Sequence, residues 1–188
     1  MSCNNLMRSR LTIRLAAALL LSFATAGPVQ AADREKIDKR VNEAVREFRT
    51  ETEIGAQLMD QAEGVLVFPR VIKAAVGLGG AYGEGALLIG GAPVEYYRIA
   101  AGSFGFQLGA QATSHFVLFM TEKALKEFRG SEGWEIGADA NVTLVDVGKS
   151  GKIDTEVGKN PVIGFVIGNK GLLAGVSLEG SKVSPIGP

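Results

Sequence analysis

Four segments of this chain repeat one alternating pattern: glycine or alanine first, apolar residues at every second position, and a glycine four residues after the first. They cover residues 75–82, 105–112, 133–140 and 171–178. Such alternation is typical of half-buried β-strands, because successive side chains point to opposite faces. The second glycines, at 79, 109, 137 and 175, are spaced too irregularly for a solenoid. The pattern therefore predicts successive strands of one antiparallel sheet.

The alternation also sorts side chains between the two faces of that sheet. In the third segment Trp134 and Ile136 fall on one face, and Glu135 and Asp139 fall on the other. One face is thus expected to pack into a core, while the other carries glycine alternating mostly with polar residues. Glycine weakens a strand, so its recurrence has two interpretations. Either the sheet bends beneath a closely packed helix, or bare backbone lines a shallow groove for an extended ligand.

Helical periodicity is confined to three segments. Residues 33–52 carry an apolar stripe that includes Ile37, Val41 and Phe48, with Asp33 as the predicted N-cap. A second helix is predicted over residues 53–62, ended by Gly64, and a short third one between Thr121 and Gly130. Strands are predicted at residues 65–68 (stopped by Pro69), 71–89 (a hairpin or one bent strand), 96–112, 116–120, 134–140, 142–147, 162–167 and 172–178. This order predicts an α+β fold: N-terminal helices packed on a curved, mainly antiparallel sheet (a partial barrel), with one short helix inserted between strands.

The first 32 residues have the pattern of a secretory signal peptide. Three arginines precede an uncharged apolar run over residues 15–26, and Val29-Gln30-Ala31 forms a small-x-small cleavage site. We expect cleavage after Ala31 or Ala32 and export to the periplasm, leaving residues 33–188 as a single domain. Cys3 is the only cysteine, so the exported chain would contain neither a disulfide nor a thiol nucleophile.

The charge of the exported chain excludes one class of partner. Removing the three leader arginines from 20 basic residues leaves 17 against 20 acidic ones, a net charge of −3. No global positive field exists to attract nucleic acid, so no nucleic-acid partner is expected. Contact with an anionic lipid would require a local basic patch.

Catalytic and metal-binding patterns are weak. His115 is the only histidine, and a satisfied histidine at a strand end is the favoured interpretation. Residues 77–83 and 148–150 fail the spacings of nucleotide-binding loops. Asp139, Asn141 and Thr143 alternate oxygen ligands but lack the glycine and glutamate of a calcium loop. The sequence predicts no cofactor, no metal and no enzymatic activity.

Two features are suited to a membrane surface. In residues 68–73, Arg70 and Lys73 are expected to meet headgroup phosphates while Phe68 and Ile72 insert beside them. Lys36 and Arg40 of the first helix are predicted as weaker contacts. The competing interpretations are an ordinary strand connection for residues 68–73 and a solvated face for the helix.

Five ordered blocks of the chain together resemble the SYLF domain, a lipid-binding module, in its bacterial secreted branch. They are residues 62–69, 79–85, 105–111, 136–139 and 171–180. The resemblance covers nearly all of residues 33–188 and implies non-enzymatic binding. Eukaryotic members bind phosphoinositide membranes through a basic N-terminal helix, and the yeast members also bind actin filaments. Here the first helix is charge-balanced, and the tyrosine-serine pair of the eukaryotic branch is missing near Phe165.

We therefore expect a periplasmic protein that binds anionic phospholipid or a related envelope amphiphile without chemistry. The alternative is an envelope protein-interaction module that uses the face or edge of the sheet for a protein partner. No actin is expected in this compartment.

Overall fold

The computed structural model describes residues 27–76, 78–104, 109–145, 157–168, 171–173 and 177–187. The chain divides into two compact units, Met1–Glu35 and Lys36–Pro188. The first is described only from residue 27 onward, where it is helical. The basic and apolar regions of the predicted signal peptide, residues 8–26, lie outside the described residues. The boundary at residue 32 therefore stays a prediction.

Three helices lie where periodicity predicts them, with different limits. Helix α1 is Gly27–Glu51 and begins six residues before Asp33, so Asp33 lies inside the helix and is not its N-cap. Helix α2 is Glu53–Gln61 and ends before Ala62, while Gly64 instead opens the first strand. Helix α3 is Glu122–Arg129, capped by the Thr121 hydroxyl, which accepts a hydrogen bond from the Ala124 N–H at 3.2 Å. Thr121 and Gly130 bound α3 as predicted.

Nine strands form one sheet. They are β1 Gly64–Val76, β2 Leu78–Ile89, β3 Ala92–Phe104, β4 Gly109–Phe119, β5 Trp134–Glu135, β6 Thr143–Leu144, β7 Val162–Gly168, β8 Gly171–Leu172 and β9 Lys182–Pro185. The spatial order is β5-β9-β3-β2-β1-β4-β7-β6, and β8 pairs with β7. Every ladder is antiparallel except that between β6 and β7. The sheet curls into half a barrel, which confirms the predicted α+β class.

Apolar layers cover both faces of the sheet. On the first face, Ile37, Val41 and Phe48 of α1 pack on strand residues such as Val67 and Phe116. The Phe48 ring stacks on Phe116 at 4.2 Å between centroids and meets Phe165 edge-on at 5.0 Å. The stripe of α1 is buried because this sheet face is apolar throughout its centre. We call it the helix face.

The opposite face is covered by α3 and the C-terminal segments. Phe128 of α3 lies 4.8 Å from Phe119 of β4 and 5.2 Å from Trp134, between ring centroids. Leu125 of α3 and Ile136 after β5 are buried in the same cluster. The prediction that Trp134 and Ile136 face the core is thus confirmed, and Glu135 between them is exposed.

Strand β1 differs most from the prediction. Pro69 does not stop it, because the ladders to β2 and β4 shift register around Pro69. A bulge removes the need for a ladder hydrogen bond from a residue without an N–H. The Pro69 carbonyl accepts a hydrogen bond from the Ser114 hydroxyl at 2.9 Å. Residues 68–73 are therefore the middle of a 13-residue strand and not a turn.

The C-terminal part of the sheet is more broken than alternation predicts. The predicted strand over residues 134–140 is reduced to Trp134–Glu135, because the Asp139 carboxylate accepts the Glu135 N–H at 2.6 Å and closes a turn. Of the predicted strand over residues 142–147, the described residues 142–145 contain the short strand Thr143–Leu144, and residues 146–147 lie outside the described residues. Strand β9, which no pattern predicts, inserts between β3 and β5.

Candidate functional site

The burial of Phe68 excludes it from direct contact with a lipid in this structure. Its side chain has no solvent exposure and belongs to the cluster beneath α3. The prediction that Phe68 inserts into a membrane is therefore wrong for this conformation. The physical reason is that both faces of this part of β1 are covered by apolar layers. A side chain in the middle of such a strand points into one of the two cores.

Arg70 and Lys73 are exposed but point to opposite faces of β1. Arg70 pairs with Glu84, and Lys73 pairs with Ala81. Glu84 continues the helix-face alternation of Ala86 and Leu88, whereas Ala81 packs toward the α3 side. One flat surface therefore cannot touch both cations through the same sheet face, and the structure separates two residues that the sequence placed in one site.

Ile72 lies on the same face of β1 as Arg70 and has different neighbours on β2. It pairs with Tyr82 on β2, and both side chains are well exposed, 44% for Ile72 and 50% for Tyr82. Among the described residues, the only other large hydrophobic side chain with comparable exposure is Val94. Two such residues side by side on neighbouring strands form a small apolar patch that neither α1 nor α2 covers.

Charged residues border this patch in the next row of the sheet. Arg70, Glu84 and Arg98 are consecutive neighbours on β1, β2 and β3. We call Arg70, Ile72, Tyr82, Glu84 and Arg98 the sheet platform. Strands lie about 4.8 Å apart, so the Cα atoms of the two arginines are roughly 10 Å apart. The platform combines two guanidinium groups, one carboxylate and an apolar pair.

Hydrogen bonding and charge organise the platform. The Tyr82 hydroxyl donates to the Glu84 carboxylate at 2.8 Å, and this bond raises the pKa of Tyr82. Arg98 lies close enough to act in the opposite direction on the same pKa. Neither Arg70 nor Arg98 forms an ion pair with a described residue. Both cations are thus available to an external anion.

A small cleft of about 200 Å³ borders the platform beside Arg70. Glu47 of α1, Ser114 of β4 and Gly168 of β7 line it together with Arg70. It places one carboxylate near one guanidinium at the edge of the helix layer. A polar headgroup would meet both signs of charge here.

Lys36 and Arg40, the predicted weaker contacts, lie on α1 away from this cleft. Their neighbour Asp38 accepts a hydrogen bond from the Tyr96 hydroxyl at 3.0 Å, which places this part of α1 over β3. Glu47, by contrast, borders Arg70 on β1. With a rise of about 1.5 Å per residue, Arg40 is roughly 10 Å along the helix from Glu47. The four predicted cations therefore lie in three places: Arg70 and Lys73 on opposite faces of β1, and Lys36 with Arg40 on α1.

A larger cleft contains none of the predicted lipid contacts. It measures about 750 Å³ and lies between α3 and residues 133–143. Asp139, Asn141 and Thr143, the weak calcium pattern, line it, but Asp139 already accepts a backbone hydrogen bond. Within the described ranges, no three His, Cys, Asp or Glu residues come together to hold a metal ion. The cleft is polar and open, without an evident reactive group.

His115 is a titratable side chain buried in β4. Burial lowers its pKa to about 4, so the imidazole is neutral at pH 7. Its Nε2 lies 2.9 Å from the Thr113 hydroxyl, and its Nδ1 has no partner among the described residues. The burial of the ring fits a strand histidine better than a base that meets a substrate, but the predicted satisfied histidine is confirmed only at Nε2.

Sequence reasoning missed Tyr82 and Arg98. Tyr82 ends the first copy of the alternating pattern, and its position fixes the face of β2 on which it lies. The missing information was the register, since only the pairing of β1 with β2 and of β2 with β3 brings these residues beside Ile72 and Arg70. The sequence pattern that could have indicated Tyr82 was an aromatic residue in a glycine-rich strand.

Comparison with known proteins identifies the C-terminal part of the chain. Residues 100–186 match the family described as "Ysc84: Las17-binding protein actin regulator". This is the family of the SYLF domain, so the predicted resemblance to the family is confirmed over these residues, and the bacterial secreted branch stays a prediction. A comparison with curated proteins gives no match. Of the helices in the described part of the chain, none combines the length and apolar character needed to cross a membrane.

Proposed function

We propose that the chain is an exported, non-enzymatic lipid-binding protein, on the premise that residues 100–186 match the Ysc84 (SYLF) family. The family is one of lipid-binding and actin-regulatory domains. The ligand we propose is anionic phospholipid or a related amphiphile of the cell envelope. The contact surface we propose is the sheet platform.

One observation carries this proposal: Ile72 and Tyr82 are exposed side by side, next to a row of the sheet that holds two arginines without an ion-pair partner among the described residues. Arginine binds phosphate through a planar fork of donors, and tyrosine suits the boundary between headgroups and acyl chains. Isoleucine contributes apolar area that leaves water on contact. Together these chemistries match the outer few ångströms of an anionic bilayer.

The strength of one platform is limited. Each arginine near an anionic surface contributes about 1 kcal/mol, and burying the exposed part of Ile72 contributes roughly another 1 kcal/mol. A total of about 3 kcal/mol corresponds to a dissociation constant in the millimolar range. The platform alone therefore supports peripheral, reversible contact.

The test is co-sedimentation of the purified protein with vesicles of phosphatidylglycerol and phosphatidylethanolamine, compared with phosphatidylcholine vesicles. We expect preference for the anionic vesicles and loss of binding between about 0.1 M and 1 M salt, where the Debye length falls from ~10 to ~3 Å. Arg70→Glu and Arg98→Glu should each weaken binding several-fold.

Lys73→Glu is the matched control, since it makes the same charge change on the opposite face of β1. If Lys73→Glu weakens binding as much as Arg70→Glu, the face assignment is wrong. If wild-type protein ignores every vesicle composition and carries no lipid in native mass spectrometry, the proposed function is wrong. Binding to actin filaments instead would favour the actin-regulatory role named for the family.

Export is the second part of the proposal. It rests on the leader pattern of residues 1–32. Cell fractionation and mass analysis of the purified protein test it directly. We expect a periplasmic protein that begins at Ala32 or Asp33, and a cytoplasmic protein with an intact N-terminus would contradict it.

A further inference from the structure

One end of the sheet extends beyond the strands that flank it. Strand β9 pairs with β3 only at residues 97–100, and β7 pairs with β4 only at residues 114–119. Residues 101–104 of β3 and 109–113 of β4 pair inward with β2 and β1. No described residue pairs with their outer sides. This end, which we call the sheet tip, comprises residues 74–76, 78–82, 101–104 and 109–113.

The other end of β3 shows how this protein protects an edge. Residues 92–95 also extend beyond β9, but there Pro93 interrupts the edge and Glu95 is charged. The Arg129 guanidinium holds Glu95 at 2.6 Å. Proline and charge are the usual devices that keep an edge from pairing with another chain. The β3 edge at the sheet tip has neither.

The composition of the sheet tip makes the contrast sharper. Residues 74–83 and 99–121 contain no Asp, Glu, Lys or Arg. Gly102, in the middle of the β3 edge, is exposed, and a Cβ added there would meet nothing within 4 Å. An uncharged strand edge with open backbone and small side chains is a template for strand addition.

We propose that residues 101–104 of β3 pair antiparallel with the same residues of a second copy of this chain. The lack of charge at this edge favours a second copy of the chain as the pairing partner. A charged segment would bring unpaired charges against an uncharged edge, whereas the chain's own β3 edge is uncharged, has small residues at 101–103, and can pair with itself. Pairing of an edge with itself about a two-fold axis closes a dimer.

The β4 edge is less suited to this role. The cleft at its base is lined by Glu47 and Arg70 together with Thr113 of β4 itself. Gly168 at the end of β7 lies in the same cleft. Charged side chains thus flank the β4 edge, whereas β9 begins at Lys182, opposite Ala100, and does not extend along residues 101–104 of β3.

The two-fold axis of such a pair stands perpendicular to the sheet, so both copies keep the same face on the same side. Both sheet platforms would then face one surface. This consequence rests on the proposed function, whereas the dimer itself does not. Two weak contacts joined in this way bind a membrane more tightly than either alone, by avidity.

Sedimentation equilibrium of the purified protein in detergent-free buffer tests the dimer. Because four residues per copy make a small interface, we examine roughly 1 µM to 1 mM protein. We expect a reversible monomer–dimer equilibrium. Gly102→Lys should weaken dimerisation at least tenfold, and Ala92→Lys, at the protected end of β3, should leave it unchanged.

Hydrogen exchange gives a second readout that does not depend on a variant. Amides in residues 101–104 should exchange more slowly at high than at low protein concentration, with no such change at 109–113. A wild-type protein that is monomeric throughout, oligomers larger than dimers, or protection confined to 109–113 would each overturn the proposal. Retained vesicle binding by a monomeric wild type would overturn only the dimer, whereas a dimer that ignores vesicles would overturn only the proposed function.

Discussion

At the scale of single residues, His115 shows the cost of placing a titratable ring between two apolar layers. It lies between Phe68 and Val166 in the pairing of β1, β4 and β7. Burial disfavours the charged imidazolium, which lowers the pKa from 6.5 to about 4 in the folded protein. The unfolded chain therefore binds a proton at a higher pH than the folded protein does.

The sign of the resulting pH dependence follows from this difference. Between pH 6.5 and 4 the unfolded state holds more protons, so the free energy of unfolding decreases as the pH falls. From pH 7 to pH 5 we expect a loss of about 2 kcal/mol. Urea unfolding at several pH values measures it.

His115→Gln is the control, since glutamine does not titrate. It should show a much flatter profile above pH 5. Glu95 and Asp60, whose pKa values are lowered by Arg129 and Arg49, titrate below this window. Equal slopes for the variant and the wild type would contradict the assignment to His115.

Two glycines of β2, just after the first copy of the alternating pattern, allow close packing of backbone. A Cβ on Gly85 would lie 2.0 Å from the Val67 carbonyl oxygen, and one on Gly83 would lie 2.7 Å from the Arg70 carbonyl oxygen. Both contacts flank the bulge that carries Pro69 through β1. Here glycine is required because the neighbouring strand approaches too closely for a side chain.

Gly85→Ala should therefore destabilise the protein by at least about 2 kcal/mol, since a rigid backbone oxygen must move. Gly80→Ala is the matched comparison on the same strand, where the nearest atom is the Ala101 carbonyl oxygen at an ordinary 3.5 Å. Glycine also costs entropy in a strand, so Gly80→Ala should be neutral or slightly stabilising. Chemical denaturation measures the free energy of unfolding of both variants. Similar losses of stability in the two would refute the packing argument.

At the scale of elements, local signals predicted helix α3 well. Thr121 accepts from the Ala124 N–H, and Leu125 and Phe128 are buried as expected. Thr121→Ala should lower the free energy of unfolding by about 1 kcal/mol, because the cap bond is lost. Thr121→Ser keeps the hydroxyl and should retain most of the stability. Thermal unfolding of the two variants compares them, and equal losses would show that the methyl group and not the cap matters.

Strands were predicted less well than helices, because their limits depend on pairing with other strands. Pro69 ends a strand on local rules, yet β1 continues to Val76 because β2 and β4 both shift register around it. Strand β9 has only four residues and exists through its pairing with β3 and β5. Pairing between strands that are distant in sequence leaves no local sequence pattern. The apolar stripe of α1 and the N-cap of α3, by contrast, can be recognised from residues that are close in sequence.

At the scale of the whole molecule, the candidate site is a property of register. Arg70 and Ile72 were predicted from one segment, but Tyr82 and Arg98 join them only through two ladders. Phe68 is not part of the site because its side chain is buried in the core. The sequence identified the region and the family, while the fold selected which face of the region meets a ligand.

The most direct test of the account is the vesicle affinity of Ile72→Asp beside Val94→Asp. Both residues are exposed to a similar degree, 44% and 46%, and Val94 lies on β3 about six residues, or ~20 Å, from the row of Tyr82. The account predicts that Ile72→Asp lowers affinity for phosphatidylglycerol vesicles at least tenfold while Val94→Asp leaves it unchanged. Unchanged affinity in Ile72→Asp, or an equal loss in Val94→Asp, would contradict the sheet platform as the membrane contact.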